Sequence, residues 1–225
     1  MGEFSKAEVD RLGERLRAGA HAEGDLRMLD EYRGSFRGAY ESVLEAIRRR
    51  SEAPTGRIAK STHSIVEKLQ REKMRLSRMQ DIAGCRVVVV DVLAQDRLVT
   101  ALQGDFVGAR IRDRREKPSH GYRAVHLIVE VCGKLVEIQV RSELQHLWAE
   151  LSEKSADVLD PAIKYGGGSE SWRTFLNQAS AVVAAHEELE RMRPDREELE
   201  VLRGGIARLL SHEILSLDKQ KESGR

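Results

Sequence analysis

Two short segments place the tightest limits on what this chain can fold into. Gly121-Tyr122-Arg123-Ala124-Val125-His126 runs on through Leu127–Val131, and Val136-Glu137-Ile138-Gln139-Val140-Arg141 follows after Cys132-Gly133-Lys134. Alternate residues of a β-strand share a face. The first segment therefore directs Val125, Leu127, Val129 and Val131 to a burying face, and Tyr122 and His126 to the other. The second does the same with Val136, Ile138 and Val140 against Glu137, Gln139 and Arg141. Cys132-Gly133-Lys134 suits a tight connection, so the two strands are expected to form a hairpin. An aromatic ring, an imidazole, a carboxylate, an amide and a guanidinium then share one sheet surface. The plain structural alternative is a half-solvated sheet whose polar face meets only water.

A second carboxylate favours use of that face. Asp81 lies just before Ile82-Ala83-Gly84-Cys85 and the β-branched run Val87 to Val90, which reads as a buried central strand with Arg86 at its start. A carboxylate at a strand's mouth and another on a sheet face can together hold Mg²⁺, which takes oxygen ligands and keeps waters and substrate phosphates in its shell. Upstream lie Arg57, Lys60, Ser64 and Lys68, the last three at four-residue spacing. A helix over Lys60 to Leu69 would align them as one stripe. Cations facing a metal-holding acidic pair suit polyphosphate chemistry, where the transferred group carries dispersed negative charge.

These residues resemble a known family. Arg57, Lys60, Ser64-Ile65, Lys68, Asp81-Ile82-Ala83-Gly84-Cys85-Arg86, Gly121-Tyr122-Arg123-Ala124-Val125-His126, Glu137-Ile138-Gln139-Val140-Arg141 and Gln145-His146-Leu147-Trp148-Ala149-Glu150 look like the synthetase domain of the RelA/SpoT alarmone synthetases. The match is ordered and spread from about residue 36 to 165. The resemblance implies an α+β fold, a mixed β-sheet flanked by helices and related to the nucleotidyltransferases. It also implies transfer of the β,γ-pyrophosphate of ATP to a ribose 3′-hydroxyl, with release of AMP.

Carried over residue by residue, it makes Asp81 a Mg²⁺ ligand, and Glu137 a second ligand or the group that helps deprotonate the attacking hydroxyl. Arg57 and Arg86 match arginines that sandwich adenine, a role suited to a flat guanidinium. Lys60, Ser64 and Lys68 match phosphate contacts. Tyr122 matches the tyrosine on which the acceptor base stacks, with His126, Gln139 and His146 in the same pocket and Lys117 and His120 in the loop before it. Stacking tolerates any base, so it does not identify the acceptor.

Two departures from the family pattern stand out. One residue usually separates the first arginine from the lysine, whereas Ile58 and Ala59 both separate Arg57 from Lys60. The loop Asp113-Arg114-Arg115-Glu116-Lys117-Pro118-Ser119-His120 lacks the family's usual tyrosine and is one residue longer after Lys117. The loop change falls on the acceptor side and leaves the acceptor open. GDP or GTP would give ppGpp or pppGpp; the 3′-terminal adenosine of tRNA would make the chain a toxin with an antitoxin partner. Arg110, Arg112, Arg114 and Arg115 keep the tRNA reading in play. A catalytically inactive nucleotide-binding module is the third reading, opposed by the presence of Asp81, Glu137, Lys60 and Lys68.

Charged residues make up 33% of the 225-residue chain, yet the formal net charge is +1, so no global polyanion signal exists. The two cysteines, Cys85 and Cys132, lack metal-ligand spacing and read as reduced structural thiols. No apolar run approaches the roughly 18 residues that cross a membrane, and no signal-peptide core is evident, so a cytoplasmic protein is expected.

Residues 1–35 read as a polar helical arm, loosely ordered through Asp25; 36–165 as the synthetase domain; and 166–225 as amphipathic helices. Phe36, Tyr40, Val43, Leu44 and Ile47 recur at helical spacing, and Arg48-Arg49-Arg50 closes that helix, read as a solvated end against the alternative of a tRNA or phosphate contact. Gly166-Gly167-Gly168 reads as a flexible break. Trp172 to Leu189 forms an apolar stripe, interrupted at Pro194 and resumed from Leu199 to Leu217. These stripes must pack on the domain or on a second copy of the chain, a possible homo-oligomer. His186-Glu187-Glu188 reads as helix surface, and His21, His63 and His212 have no partners at ligand spacing. With no segment resembling the family's hydrolase domain, the expectation is a stand-alone synthetase whose product another protein removes.

Overall fold

The computed structural model describes residues 4–50, 54–193 and 197–223. Five strands form one mixed sheet in the order β1-β2-β5-β4-β3: β1 Thr55–Arg57, β2 Ala83–Val89, β3 Arg110–Asp113, β4 Val125–Val131 and β5 Lys134–Ser142. The chain divides into two compact units. The first takes Met1–Val87, Leu102–Arg110 and Leu127–Gln139; the second takes Val88–Ala101, Ile111–His126 and Val140–Arg225.

In the first unit, α1 (Lys6–Ala18) begins at a capping box in which Ser5 and Glu8 satisfy each other's backbone N–H, and ends at Gly19 with φ of 70°. Val9, Leu12 and Leu16 are buried at helical spacing, and a Cβ on Gly13 would fall 2.7 Å from the Cβ of Leu76. The expected loose arm is instead a packed helix, seated on α4 (Thr62–Glu72) and the 3-10 turn Leu76–Arg78. Arg15 grips Asp25 of α2 (Glu23–Gly34) with a 2.6 Å bond. In α3 (Arg37–Arg48), Tyr40, Val43 and Ile47 are buried as the spacing predicts. The end of α3 is exposed as read, and it also carries ion pairs: Arg50 holds Asp105 at 2.7 Å and Arg49 faces Glu45 at 3.6 Å.

Two strand and helix limits also differ from expectation. In β2 the buried residues are Ala83, Cys85 and Val87, while Val88 and Val90 are 38% and 52% exposed. The strand starts earlier than the β-branched run suggests and obeys alternation through Gly84 and Arg86, so Arg86 lies mid-strand. Helix α4 starts after Ser61, whose hydroxyl accepts from the Ser64 N–H, and Lys60 precedes it. The hairpin is as read: Cys132 and Gly133, with φ of 49° and 69°, make the two-residue turn that a right-twisted pair favours. Beside it, the Lys134 ammonium lies 5.3 and 5.1 Å from the ring centres of Tyr32 and Phe36. Ile128 is buried on the face opposite Leu127 and Val129, so burial in β4 is not confined to one face.

In the second unit, α6 (Glu143–Val158) is capped by Ser142 and packs with α7 (Glu170–Met192) and α8 (Glu197–Ser223). Leu144, Trp148, Leu151, Ile163, Leu176, Val183, Ile206, Leu210 and Leu217 form its core. The two apolar stripes thus pack on α6 within the chain, although Val201, Leu209 and Leu215 stay exposed. Pro194, read as the interruption between them, lies outside the described residues. Helix α5 (Val92–Asp105) carries the buried Gln95. Gly166-Gly167-Gly168 is a built turn rather than a flexible break: the Gly167 N–H donates to Ala162 O at 2.8 Å and Gly166 and Gly168 have φ of 78° and 81°. His186 and Glu187 are 2% and 1% exposed, which corrects the reading of that segment as surface. Among the described residues no helix is long and apolar enough to cross a membrane.

Candidate active site

Arg57, Lys60, Ser64, Lys68, Asp81, Arg86, Glu137 and Gln139 all fall in the first unit. Asp81 is clasped by two ammonium groups: Lys60 Nζ donates to Oδ2 at 3.0 Å and Lys68 Nζ to Oδ1 at 2.9 Å. The lysines arrive by different routes. Lys68 projects from α4, whereas Lys60 is set by its own backbone, whose N–H donates to Ile82 O at 2.6 Å. Burial opposes ionisation of Asp81, but Lys68 and Lys60 outweigh it and hold the carboxyl below its ordinary range. Ser64 belongs to the helix cap, its hydroxyl accepting from Ser61 Oγ at 2.9 Å, and does not join the lysines on Asp81.

Arg57 is an exposed residue of β1 and pairs with Gly84 of β2. The chain bends at Ile58-Ala59 directly after the strand, between Arg57 and Lys60. Gly84 is also the neighbour of Glu137: a Cβ there would lie 3.3 Å from Glu137 O and 3.7 Å from its Cβ. Arg57 and Glu137 therefore flank a strip of backbone with no side chain. The Glu137 carboxylate accepts from Gln139 Nε2 at 2.9 Å, which sets Gln139 beside the acidic group of this unit. Cys85, on the opposite face of β2, is buried and its thiol is pushed up to about 12 by burial.

The second unit holds Lys117, His120, Tyr122, His126 and His146. Tyr122 precedes β4, its hydroxyl 2.9 Å from His126 Nε2. Arg141, 3% exposed, donates to the same hydroxyl at 3.0 Å, with its guanidinium 5.1 Å from the ring centre. In the sequence, only the alternation of Arg141 with Glu137 and Gln139 points to it. His120, Tyr122 and His126 line a cavity of about 310 Å³, with Arg114, Ser152 and Lys164 also on its wall. Lys117 is exposed and lies off that wall, and His146 faces Glu150 at 3.5 Å along α6. His120 has φ of 53°, and its ring packs where a Cβ on Gly166 would lie, 2.2 Å from Nδ1. Arg115 is not presented outward: its guanidinium bonds Asp113, Asp96 and Gln95.

The family model for a region found in RelA/SpoT proteins matches residues 56–156. Uncharacterised proteins of Mycobacterium bovis and Mycobacterium tuberculosis are 33% identical over 170 residues, covering 72% of this chain and 62% of theirs, so the chain spans less than two thirds of these relatives' length. The fold is similar to that of the small alarmone synthetase 1 of Bacillus subtilis bound to its product pppGpp, with a TM-score of 0.61 at 24% identity over 80% of this chain and 98% of that one. A second structure of the same synthetase gives a TM-score of 0.58 at 24% identity over 80% and 97%. Residues 56–156 thus match the RelA/SpoT family model, and the chain shares the fold of the small alarmone synthetases.

Proposed function

We propose that the chain transfers the β,γ-pyrophosphate of ATP to the 3′-hydroxyl of GDP or GTP, giving ppGpp or pppGpp and AMP. The observation that carries this reading is Asp81 held between Lys60 and Lys68 within the family region. Two ammonium groups on one carboxylate are preloaded cations. When a triphosphate arrives they have a stronger anionic partner, and their transfer to its oxygens would bare Asp81. The B. subtilis neighbour, solved with pppGpp, supports a guanosine acceptor.

The donor set also fits Mg²⁺. Asp81 and Glu137 offer oxygen ligands only, and no cluster of three or more His, Cys, Asp or Glu among the described residues could cage a metal. Mg²⁺ characteristically takes one or two carboxylates and leaves the rest of its shell to water and phosphates. Asp81 and Glu137 would hold it, and once bound it would offset charge on the phosphoryl oxygens. Arg57 and Arg86 would hold the adenine, and Lys60 and Lys68 the phosphates. Glu137, oriented by Gln139, would take the proton of the attacking 3′-hydroxyl. Tyr122, braced by His126 and Arg141, would stack on the acceptor base.

Transfer to the 3′ adenosine of tRNA is the second reading. Its basis is the altered acceptor loop together with Arg110, Arg112, Arg114 and Arg115, and of these Arg115 is spent on Asp113 and Asp96 rather than offered to a phosphate backbone. Incubation with Mg²⁺ and ATP labelled in its β,γ-phosphates, offering GDP, GTP and deacylated tRNA in parallel, tests the assignment. Label on a guanosine nucleotide, lost in Asp81→Asn, is the expected result; label on tRNA alone would overturn the guanosine reading.

A further inference from the structure

Helix α7 lies outside residues 56–156, and its segment around Glu187 reads from sequence as surface. In the structure it carries a carboxylate that is 1% exposed. Burying such a group costs several kcal/mol unless it is well partnered. Its partners are specific: Ser142 Oγ and Gln145 Nε2 each donate to Glu187 Oε1 at 2.7 Å, and Arg123 Nη2 faces Oε2 at 3.5 Å. Arg123 also donates to Arg115 O at 3.0 Å, joining the two ends of the loop that carries Lys117 and His120. Seven residues earlier on α7, Ser180 Oγ donates to Gly121 O at 2.7 Å. Gly121 itself, at φ of 86°, sits where a Cβ would come within 2.6 Å of the Trp148 ring. Both peptide neighbours of Tyr122, Gly121 and Arg123, are thus tied to one helix.

We propose that Ser180 and Glu187 are positioning residues for the acceptor loop, fixing the plane and reach of Tyr122 from α7 while contacting no substrate themselves. Simple attachment of α7 to the core needs no buried charge, since Leu176 and Val183 supply the apolar contact. The polar groups are directed instead at the flanks of one aromatic residue. The proposal rests on the acceptor role given to Tyr122 above.

The test compares Ser180→Ala, Glu187→Gln and Glu187→Gln/Arg123→Gln with wild type in Mg²⁺-dependent transfer from ATP to GDP, and in amide hydrogen exchange over residues 114–124 and 60–69. Loss of one neutral hydrogen bond corresponds to about a 2- to 10-fold change. Ser180→Ala should raise the KM for GDP by about 5-fold, leave the KM for ATP within about twofold, and speed exchange in 114–124 only. Glu187→Gln should do more, and adding Arg123→Gln should add little, because both lie on one tether. A purely structural role would lower the melting temperature, shift both KM values together and speed exchange in both segments; that pattern, or unchanged exchange in 114–124, overturns the proposal. Wild type that transfers to no acceptor would instead remove the reading of the activity, and faster exchange confined to 114–124 would still uphold the tether.

Discussion

Replacing Asp81 by Asn keeps the side chain's size and removes the negative charge from between two ammonium groups. The three side chains are 17% (Asp81), 14% (Lys60) and 20% (Lys68) exposed, so solvent screens them weakly. Hydrogen bonds to charged groups are worth about 1.5–3 kcal/mol each. The amide oxygen of Asn recovers part of one bond, while Lys60 and Lys68 would face each other without a counter-charge. We expect a net loss of about 2–3 kcal/mol, or roughly 1 M in a urea midpoint at a slope of about 2 kcal/mol/M. The pH dependence follows from the depressed carboxyl. A group whose folded pKa lies below its unfolded value of 3.8 stabilises the fold above that value and loses the contribution as pH falls through the folded one. The gap between wild type and Asp81→Asn in urea unfolding followed by circular dichroism should therefore be constant from roughly pH 5 to 8 and close in more acid solution. Equal midpoints at neutral pH, or a gap undiminished in acid, would refute the claim that the lysines hold an ionised Asp81.

Gly56→Ala tests the donor side. A Cβ there would lie 2.6 Å from both Cys85 Cα and Gly84 O, so β1 must shift and carry Arg57 with it, at a cost of about 1–3 kcal/mol. Calorimetric titration should show weaker binding of a non-hydrolysable ATP analogue with GDP binding unchanged; an unaltered ATP titration would remove Arg57 from that role. The two cysteines should differ in reactivity toward a disulfide reagent, exposed Cys132 reacting in the folded protein and buried Cys85, its thiol raised to about 12, reacting only after unfolding. Two fast thiols in the native state would contradict the burial of β2.

Local periodicity determined much of this protein. The alternation in 125–131 and 136–141 assigns faces to both hairpin strands, because side-chain direction in a strand depends on residue parity alone. The same rule places Glu137, Gln139 and Arg141 together, and the four-residue spacing brings out Lys60 and Lys68 as candidate cations. Tertiary structure decided how they act. Lys60 reaches Asp81 through a backbone bond to Ile82 rather than along a helix stripe, and Ser64 serves the cap at Ser61. Glu187 has the sequence setting of a solvated helix face, His-Glu-Glu, and only the approach of Ser142, Gln145 and Arg123, each more than 40 positions away, makes it a buried anchor. Periodicity reports which side of an element turns inward; which polar group meets another across the fold depends on contacts between residues distant in sequence, and those exist only once the helices have packed.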